Sequence, residues 1–253
     1  MKLVEQRTAW LDPPPEYALG AHEVHLWRAS LARDRRSQET AWAVLAEDEK
    51  QRARRYWVEP DREFFIARRG ILRFLLGKYL AIPAAQVSLT YNPYGKPLLA
   101  SGYAGDRLHF SLSCSCGQAL YAFTWLSRVG VDLERIRSDP AVLELAQAYF
   151  TPNEVKSLDL LTGEARRRAF FQCWTRKEAL LKALGAGLTI SPDQIEVSLD
   201  PGRPAQIGAV YGEAEPLRDF YLVDIDAGDG FAAALALEGQ ARSIYCWQYP
   251  GLS

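Results

Sequence analysis

The sequence predicts an α+β protein of two similar lobes, each with an antiparallel sheet packed on helices. Helical and strand-like segments occur in similar proportion in both halves, and the regular strand, helix, strand rhythm of a parallel sheet is missing. The chain has 253 residues, of which 48% are hydrophobic, so two cores can form. We therefore expect lobes at residues 1–127 and 128–253, with an active site between them.

The elements of the first half follow from the spacing of its apolar residues. Pro13 to Pro15 favour an extended lead-in. Helical spacing predicts helices at residues 41–56 and 61–80, and Pro83 closes the second. Pro and Gly residues at 92–97 predict a turn. Segments typical of strands lie at residues 24–27, 87–91, 108–112 and 119–125.

The second half has the same mixture of elements. Helices are predicted at residues 141–150, 152–161 and 164–184. Gly185 and Gly187 are expected to end the last of these. Strands are predicted at residues 129–133, 195–199, 220–225 and 231–237.

Charge and composition exclude several classes of function. The formal net charge is −1, so the chain lacks the overall basic character of a nucleic-acid-binding protein. The amino terminus has no signal-peptide core, and the apolar run from Phe231 to Leu237 is too short to span a bilayer. The four cysteines show no paired C-x-x-C spacing, which favours free thiols over disulfides or a zinc site. We expect a cytoplasmic protein.

Two clusters of charged residues in the second half have the spacing of a catalytic site. Asp132 and Glu134 are two residues apart in a strand-like segment, so both carboxylates face one side of the strand. Glu178 and Lys182 are four apart in a helical segment and share one face of it. If the clusters converge, three carboxylates and one ammonium can bind a metal ion and a phosphate.

These residues also have simpler interpretations. The strand carboxylates can be solvated, and Glu178 with Lys182 can be a surface ion pair worth roughly a few tenths of a kcal/mol. Trp174 is expected to pack in the core rather than contact a substrate. The run Arg166 to Arg168 is typical of a solvated face, with a docking patch for an acidic partner as the alternative. The joint arrangement of carboxylates and lysine favours a functional site.

Five motifs in order resemble the large, single-chain 4′-phosphopantetheinyl transferases of the surfactin-synthetase-activating type. The likeness covers residues 45–237. The motifs are a basic helix pair, a Gly-Lys-Pro turn, a serine-rich strand, an acidic strand and a helix with Trp, Lys and Glu. In this chain they are Glu47 to Leu80, Tyr94 to Pro97, His109 to Ser115, Gly130 to Glu134, and Trp174 to Lys182.

The resemblance implies a monomer of two pseudo-symmetric α+β lobes that binds coenzyme A between them and uses Mg²⁺. The implied reaction transfers phosphopantetheine from coenzyme A to a serine hydroxyl of an apo acyl- or peptidyl-carrier protein, releasing adenosine 3′,5′-bisphosphate. Neither nucleic acid nor membrane is an implied partner. The implied metal ligands are Asp132, Glu134 and Glu178. The implied contacts to the nucleotide and its phosphates are Arg52, Arg69, Lys96, Ser113, Cys114 and Lys182.

One position departs from the family pattern. Cys114 stands where the family has a histidine after the first serine of a Ser-His-Ser sequence, and this removes a cationic donor for a coenzyme A phosphate.

The chemistry of the reaction independently requires such groups. Attack on a pyrophosphate needs a hard cation and a positive charge near its oxygens, and Lys182 can stabilise the leaving group. Glu178 is the expected base for the serine proton. Two other classes stay open: a binding module for coenzyme A or carrier protein without turnover, and a different metal-dependent phosphotransfer or hydrolytic enzyme.

Overall fold

Six α-helices, two short 3₁₀-helices and twelve strands lie in the part of the chain that the computed structural model describes. The described residues are 5–6, 9–102, 108–125, 128–138, 141–185, 190–199, 204–212, 217, 219–239 and 243–252. The helices are α1 Arg35–Val44, α2 Glu47–Arg54, α3 Glu59–Leu80, α4 Val142–Tyr149, α5 Pro152–Asp159 and α6 Gly163–Leu184. The first six strands are β1 Glu5–Gln6, β2 Glu23–Ser30, β3 Leu89–Tyr91, β4 Pro97–Leu99, β5 His109–Ser115 and β6 Gln118–Thr124. The other six are β7 Val129–Arg135, β8 Ile195–Val197, β9 Ile207–Val210, β10 Phe220–Asp224, β11 Phe231–Glu238 and β12 Ser243–Gln248.

The two larger sheets each carry one long helix. A five-stranded sheet has the order β1-β12-β2-β6-β5, and a three-stranded sheet has the order β10-β11-β7. Helices α1 and α3 share a core with the first sheet, and α6 shares one with the second. A third apolar cluster joins the two sheets, with Leu26 and Leu120 of the first against Val131, Leu133 and Leu235 of the second. The α+β class with antiparallel sheets on helices is confirmed.

The two long helices begin and end where their sequences predict. Helix α3 has a proline in its first turn, and it ends at Ala81 in the left-handed region (φ 53°), two residues before Pro83. Helix α6 ends at Gly185, whose φ of 70° suits a residue without a side chain. Gly187 lies outside the described residues. No described helix is both long and apolar enough to cross a membrane.

The helix predicted at residues 41–56 is two helices. Helix α1 starts earlier, because the Asp34 side chain accepts a hydrogen bond from the Ser37 amide at 3.0 Å and caps it. The chain becomes extended at Leu45 and Ala46, and α2 starts there with the Glu49 carboxylate accepting from the Ala46 amide at 2.9 Å. The continuous helical pattern therefore conceals a break that capping determines.

Strand β12 was not among the predicted strands, and it changes the topology. It lies at the end of the second half of the chain, yet it belongs to the first sheet, parallel to both β1 and β2. Its alternation buries Ile244 and Cys246 in the cluster between the sheets. The remaining pairs within the sheets are antiparallel. The division into lobes at residue 128 stays a prediction, and β12 is a strand from the second half that pairs with β2 from the first half.

Candidate active site

A row of serines on β5 joins the first sheet to β7 of the second. The Ser111 hydroxyl accepts a hydrogen bond from the Val131 amide at 3.1 Å, and the Ser115 hydroxyl accepts one from the Arg135 amide, also at 3.1 Å. Between them, the Ser113 hydroxyl donates to Asp132 Oδ1 at 2.8 Å. Alternate residues of a strand face one side, so all three hydroxyls face the acidic strand. These three hydrogen bonds fix the position of β7 along β5.

Helix α6 packs on β7 at unusually short range. A Cβ atom at Gly130 would lie 1.9 Å from the Ala179 carbonyl oxygen and 2.5 Å from the Ala183 amide nitrogen. Only a residue without a side chain allows this approach. The glycine of the acidic motif thereby brings the backbone of α6 close enough for its side chains to reach Asp132.

Asp132, Ser113 and Lys182 form the centre of the candidate site. Lys182 Nζ donates to Asp132 Oδ1 at 2.6 Å and to Ser113 Oγ at 2.9 Å. Asp132 is 2% exposed, so its charge is almost fully removed from water. Among the described residues, the ion pair of Lys182 is with Asp132 and not with Glu178. The interpretation of Glu178 and Lys182 as a surface ion pair is therefore wrong.

Burial and mutual repulsion set the protonation of the other two carboxyls. Burial, followed by the charge of Asp132, raises the pKa of Glu134 above its ordinary value, although Ser115 donates to Glu134 Oε2 at 3.1 Å. Burial and the charge of Asp132 also raise the pKa of Glu178. Burial by itself would lower the pKa of Lys182, but the surrounding carboxylates, led by Asp132, raise it. The site concentrates negative charge that one ammonium only partly balances.

Two neighbouring cavities are both bordered by Glu178 and Lys182 of α6. One of about 360 Å³ is lined by Ser113, Asp132, Glu134, Glu178 and Lys182, together with Arg68, Leu112, Cys114 and Trp174. The other, of about 300 Å³, is lined by the turn at residues 94–97, by Phe110 to Leu112, and again by Glu178 and Lys182. The two i,i+4 residues of α6 therefore border a polar cavity on one side and a mainly apolar one on the other.

The three carboxylates offer a metal ion oxygen ligands, although they are not assembled as a ready-made cluster. Within the described ranges, no three His, Cys, Asp or Glu side chains are grouped closely enough to hold a metal. Asp132 Oδ2, however, is buried without a hydrogen-bond partner, and Glu134 and Glu178 line the cavity beside it. A buried carboxylate oxygen without a donor is costly unless a cation meets it. The donor set thus fits a hard, oxygen-liganded ion such as Mg²⁺.

Lys96, in the wall of the mainly apolar cavity, binds protein backbone. Its Nζ donates to the Lys182 carbonyl oxygen at 2.5 Å and to the Val129 carbonyl oxygen at 3.3 Å. Asn92 Nδ2 donates to the Gly185 carbonyl oxygen at 2.6 Å, so the whole turn is fastened to the end of α6. Burial, with smaller contributions from neighbouring cations, lowers the pKa of Lys96 to about 8. Its predicted contact with a nucleotide stays a prediction.

The two predicted arginines differ in accessibility. Arg52 lines an open groove of about 600 Å³ with Arg55, Tyr56 and Tyr91. Arg69 lies deeper, 7% exposed, with Nε 3.4 Å from Glu49 Oε1 and with a buried Nη1 that lacks a hydrogen-bond partner. Burial lowers the pKa of Arg69. The Arg69 guanidinium lies 5.7 Å from the centroid of the Tyr91 ring, and Arg52 lines the groove that Tyr91 borders. Two cations at one groove are consistent with a binding position for an anion.

Sequence reasoning missed the residues that hold α6 in place. Arg176 and Lys177, inside the motif of the helix, point away from the cavities. Arg176 pairs with Asp224 at 2.5 Å, and Lys177 pairs with the buried Glu154 at 2.5 Å. Helical spacing could have predicted this, because it places Arg176 and Lys177 on other faces of α6 than Glu178 and Lys182.

The aromatic residues of α6 behave largely as predicted. Phe170 and Phe171 are buried in the core that α6 shares with the three-stranded sheet. Trp174 packs against that core, with its ring centroid 5.7 Å from that of Tyr149, and it also forms part of the wall of the polar cavity. The same side chain therefore serves the core and shapes the site.

Sequence reasoning also missed Arg68. Its Nη1 donates to Cys114 Sγ at 3.0 Å, inside the wall of the polar cavity. The sequence signal that could have identified it is the pair Arg68 and Arg69, which interrupts an apolar stretch of this helix. Cys114 is half-buried, and all four cysteines are free thiols.

Comparison with known proteins finds similarity over nearly the whole chain. A family model described as the 4′-phosphopantetheinyl transferase superfamily matches residues 128–236. The 4′-phosphopantetheinyl transferase HetI of Nostoc sp. is 36% identical over 240 residues, which cover 95% of this chain and 98% of that protein. The 4′-phosphopantetheinyl transferase Sfp of Bacillus subtilis is 22% identical over 157 residues, or 62% of this chain and 67% of that protein. The structure of a holo-[acyl-carrier-protein] synthase from Thermotoga maritima aligns with 45% of this chain and 63% of its own, at 22% identity and a TM-score of 0.37.

Proposed function

Because the chain belongs to the 4′-phosphopantetheinyl transferase superfamily, we propose that the cavity around Asp132 and Lys182 is where it carries out that transfer. The enzyme moves 4′-phosphopantetheine from coenzyme A to a serine hydroxyl of an apo carrier protein and releases adenosine 3′,5′-bisphosphate. The observation that carries the placement is the hydrogen-bonded cluster of Lys182, Asp132 and Ser113, which borders both cavities at the junction of the two sheets.

The acidic side chains have two proposed roles, which are to bind Mg²⁺ and to accept the proton of the attacking serine hydroxyl. Asp132, Glu134 and Glu178 would hold Mg²⁺, which supplies positive charge to the pyrophosphate as the phosphoryl group is transferred. Glu178, on the border of both cavities, accepts the proton of the attacking serine hydroxyl at its carboxylate. Its raised pKa makes it a stronger base than an exposed glutamate.

Lys182 is the electrostatic partner of the substrate. Its ammonium has three protons, two of which point to Asp132 and Ser113 in this structure. A third donor is available for a pyrophosphate oxygen, where negative charge increases as the bisphosphate leaves. Because α6 packs closely on β7 and Lys182 already donates to Asp132 and Ser113, the ammonium is positioned before the substrate arrives.

The proposal extends to a monomeric, cytoplasmic enzyme. Its four cysteines are free thiols, as in a reducing compartment. The formal net charge of −1 gives no support for a nucleic acid as partner. Coenzyme A and an apo carrier protein are therefore the proposed partners.

The deciding experiment incubates the protein with coenzyme A, Mg²⁺ and a panel of apo carrier proteins and then weighs the carriers by mass spectrometry. A carrier that is a substrate gains the mass of one phosphopantetheine group, and its variant without the acceptor serine gains nothing. Replacing coenzyme A by other nucleotides separates the transferase from a different metal-dependent phosphotransfer enzyme. Binding of coenzyme A without any mass gain across the panel would instead support a non-catalytic binding module.

A further inference from the structure

The cations that the sequence assigns to the coenzyme A phosphates are partly committed within the protein. Lys96 donates to two backbone carbonyls, and Arg69 faces the Glu49 carboxylate. At position 114, the thiol of Cys114 is a much weaker donor than an imidazole. If coenzyme A binds as proposed, its phosphate groups come close to three carboxylates in the polar cavity, where a cation in addition to Lys182 and Mg²⁺ would reduce the repulsion.

Arg68 meets this need from helix α3. It is half-buried, and its guanidinium reaches past the ring of Phe65, 5.2 Å from the ring centroid, to the thiol of Cys114. The Tyr121 hydroxyl donates to the Arg68 carbonyl oxygen at 2.9 Å, so the backbone at this point of the helix is fixed as well. Within the ranges that the structure describes, Arg68 forms no ion pair with a carboxylate. The Arg68 guanidinium is therefore fixed in position while its charge is not paired with a carboxylate of the described residues, so an anion can bind beside it.

Two cavities meet at this guanidinium. Arg68 and Cys114 line the polar cavity that contains Asp132 and Lys182. They also line a second one of about 210 Å³, whose other walls include Tyr56, Asp61, Phe64 and Cys116. Of the five N–H donors of a guanidinium, one is used by the sulfur. The planar fork can present further donors to phosphate oxygens.

We propose that Arg68 binds a phosphate group of coenzyme A and supplies the charge that a histidine at position 114 would otherwise provide. In this arrangement Cys114 accepts a hydrogen bond from the arginine and orients it. A change from imidazole to thiol at position 114 is then compensated by the arginine across the cavity. This proposal rests on the proposed function, because it needs coenzyme A as the ligand.

The alternative role for Arg68 is purely structural: packing on Phe65 and a bond to sulfur. That role predicts a loss of thermal stability without a specific loss of affinity for phosphate groups. Charge-assisted hydrogen bonds are worth enough that removing the guanidinium from a phosphate site should weaken binding about 10- to 100-fold.

Calorimetric titration of the full chain with coenzyme A tests the proposal. Arg68→Gln removes the charge, and Arg68→Met also keeps an apolar stem on Phe65. Arg62→Gln is the matched control, since Arg62 lies on the same helix in an exposed i,i+3 pair with Glu59. We expect a Kd about 10- to 100-fold higher for both Arg68 variants and an unchanged Kd for the control. Titration with 3′-dephospho-coenzyme A then shows which phosphate is bound: the loss persists if it is the pyrophosphate and disappears if it is the 3′-phosphate.

A rescue variant distinguishes charge from structure. Adding Cys114→His to Arg68→Gln should recover most of the lost affinity at pH 6.0, where an ordinary imidazole is largely protonated. A folded Arg68 variant that binds coenzyme A within about twofold of the unchanged protein would overturn the proposal. If the unchanged protein itself does not bind coenzyme A, the proposed function fails instead, so the two failures are distinguishable.

Discussion

The close contact between β7 and α6 at Gly130 allows a sharp test of how the fold positions the site. Replacing Gly130 by alanine adds one methyl group, whose carbon would lie 1.9 Å from the Ala179 carbonyl oxygen. The obstacle is helix backbone, which cannot rotate away like a side chain. Restoring an ordinary contact of 3.4 Å requires roughly 1.5 Å of separation between strand and helix.

That displacement acts directly on the hydrogen-bonded pair of Asp132 and Lys182 in the proposed active site. Asp132 lies two residues after Gly130, and the bond from Lys182 Nζ to Asp132 Oδ1 is 2.6 Å long. A misplacement of about 1 Å can reduce catalysis on the order of 100-fold. Overpacking in a core costs about 3 kcal/mol at the upper end of its usual range. In a chain of this size, such a loss lowers the melting temperature by about 6–12 °C.

The assay combines thermal unfolding, followed by circular dichroism, with the rate of carrier modification below the unfolding transition. Gly208→Ala is the matched control, since a Cβ there meets nothing closer than 3.5 Å and the residue is exposed in a strand. We expect the control to keep both its melting temperature and its activity. Gly130→Ala with unchanged melting temperature and unchanged kcat/KM would refute the claim that this contact sets the geometry of the site.

Three further predictions concern titratable groups. Asp132→Ala should abolish transfer while the fold persists, because it removes a carboxylate from a repulsive cluster; full activity of this variant in the presence of a chelator would contradict the metal assignment. Lys182→Ala should lower kcat and also the melting temperature, because it leaves the buried Asp132 carboxylate without its ion-pair partner, and Glu178→Gln should be almost inactive; an unchanged turnover of either variant, measured below its unfolding transition, would argue against its assigned role. Burial lowers the pKa of His25 to about 4, whereas an unfolded histidine titrates near 6.5. The unfolded state therefore binds more protons between these pH values, so the free energy of unfolding should fall by up to about 3 kcal/mol as the pH drops from 6.5 to 4. Urea denaturation across this range should show a flatter dependence for His25→Gln, and an identical slope would rule out His25 as the cause.

Local patterns in the sequence predicted a large part of the candidate site. The period of two along β7 and the period of 3.6 along α6 are properties of backbone geometry, so the shared face of Asp132 and Glu134 followed from spacing. The glycine and proline signals at the ends of α3 and α6 were equally local. The error at residues 41–56 has a local cause too, because a helical pattern shows amphipathicity and not the caps that divide one helix into two.

Tertiary structure alone decided which groups meet. The partner of Lys182 is Asp132, 50 residues away, and not Glu178, four residues away, because α6 packs so closely on β7. The bond between Arg68 and Cys114 spans 46 residues and depends on how α3 lies against β5. Strand β12 crosses to the first sheet because its apolar face completes the cluster between the two sheets. Spacing in a sequence determines which side chains share a face of one element, whereas the choice of partner face depends on the packing of whole sheets and helices, which buries the most apolar surface.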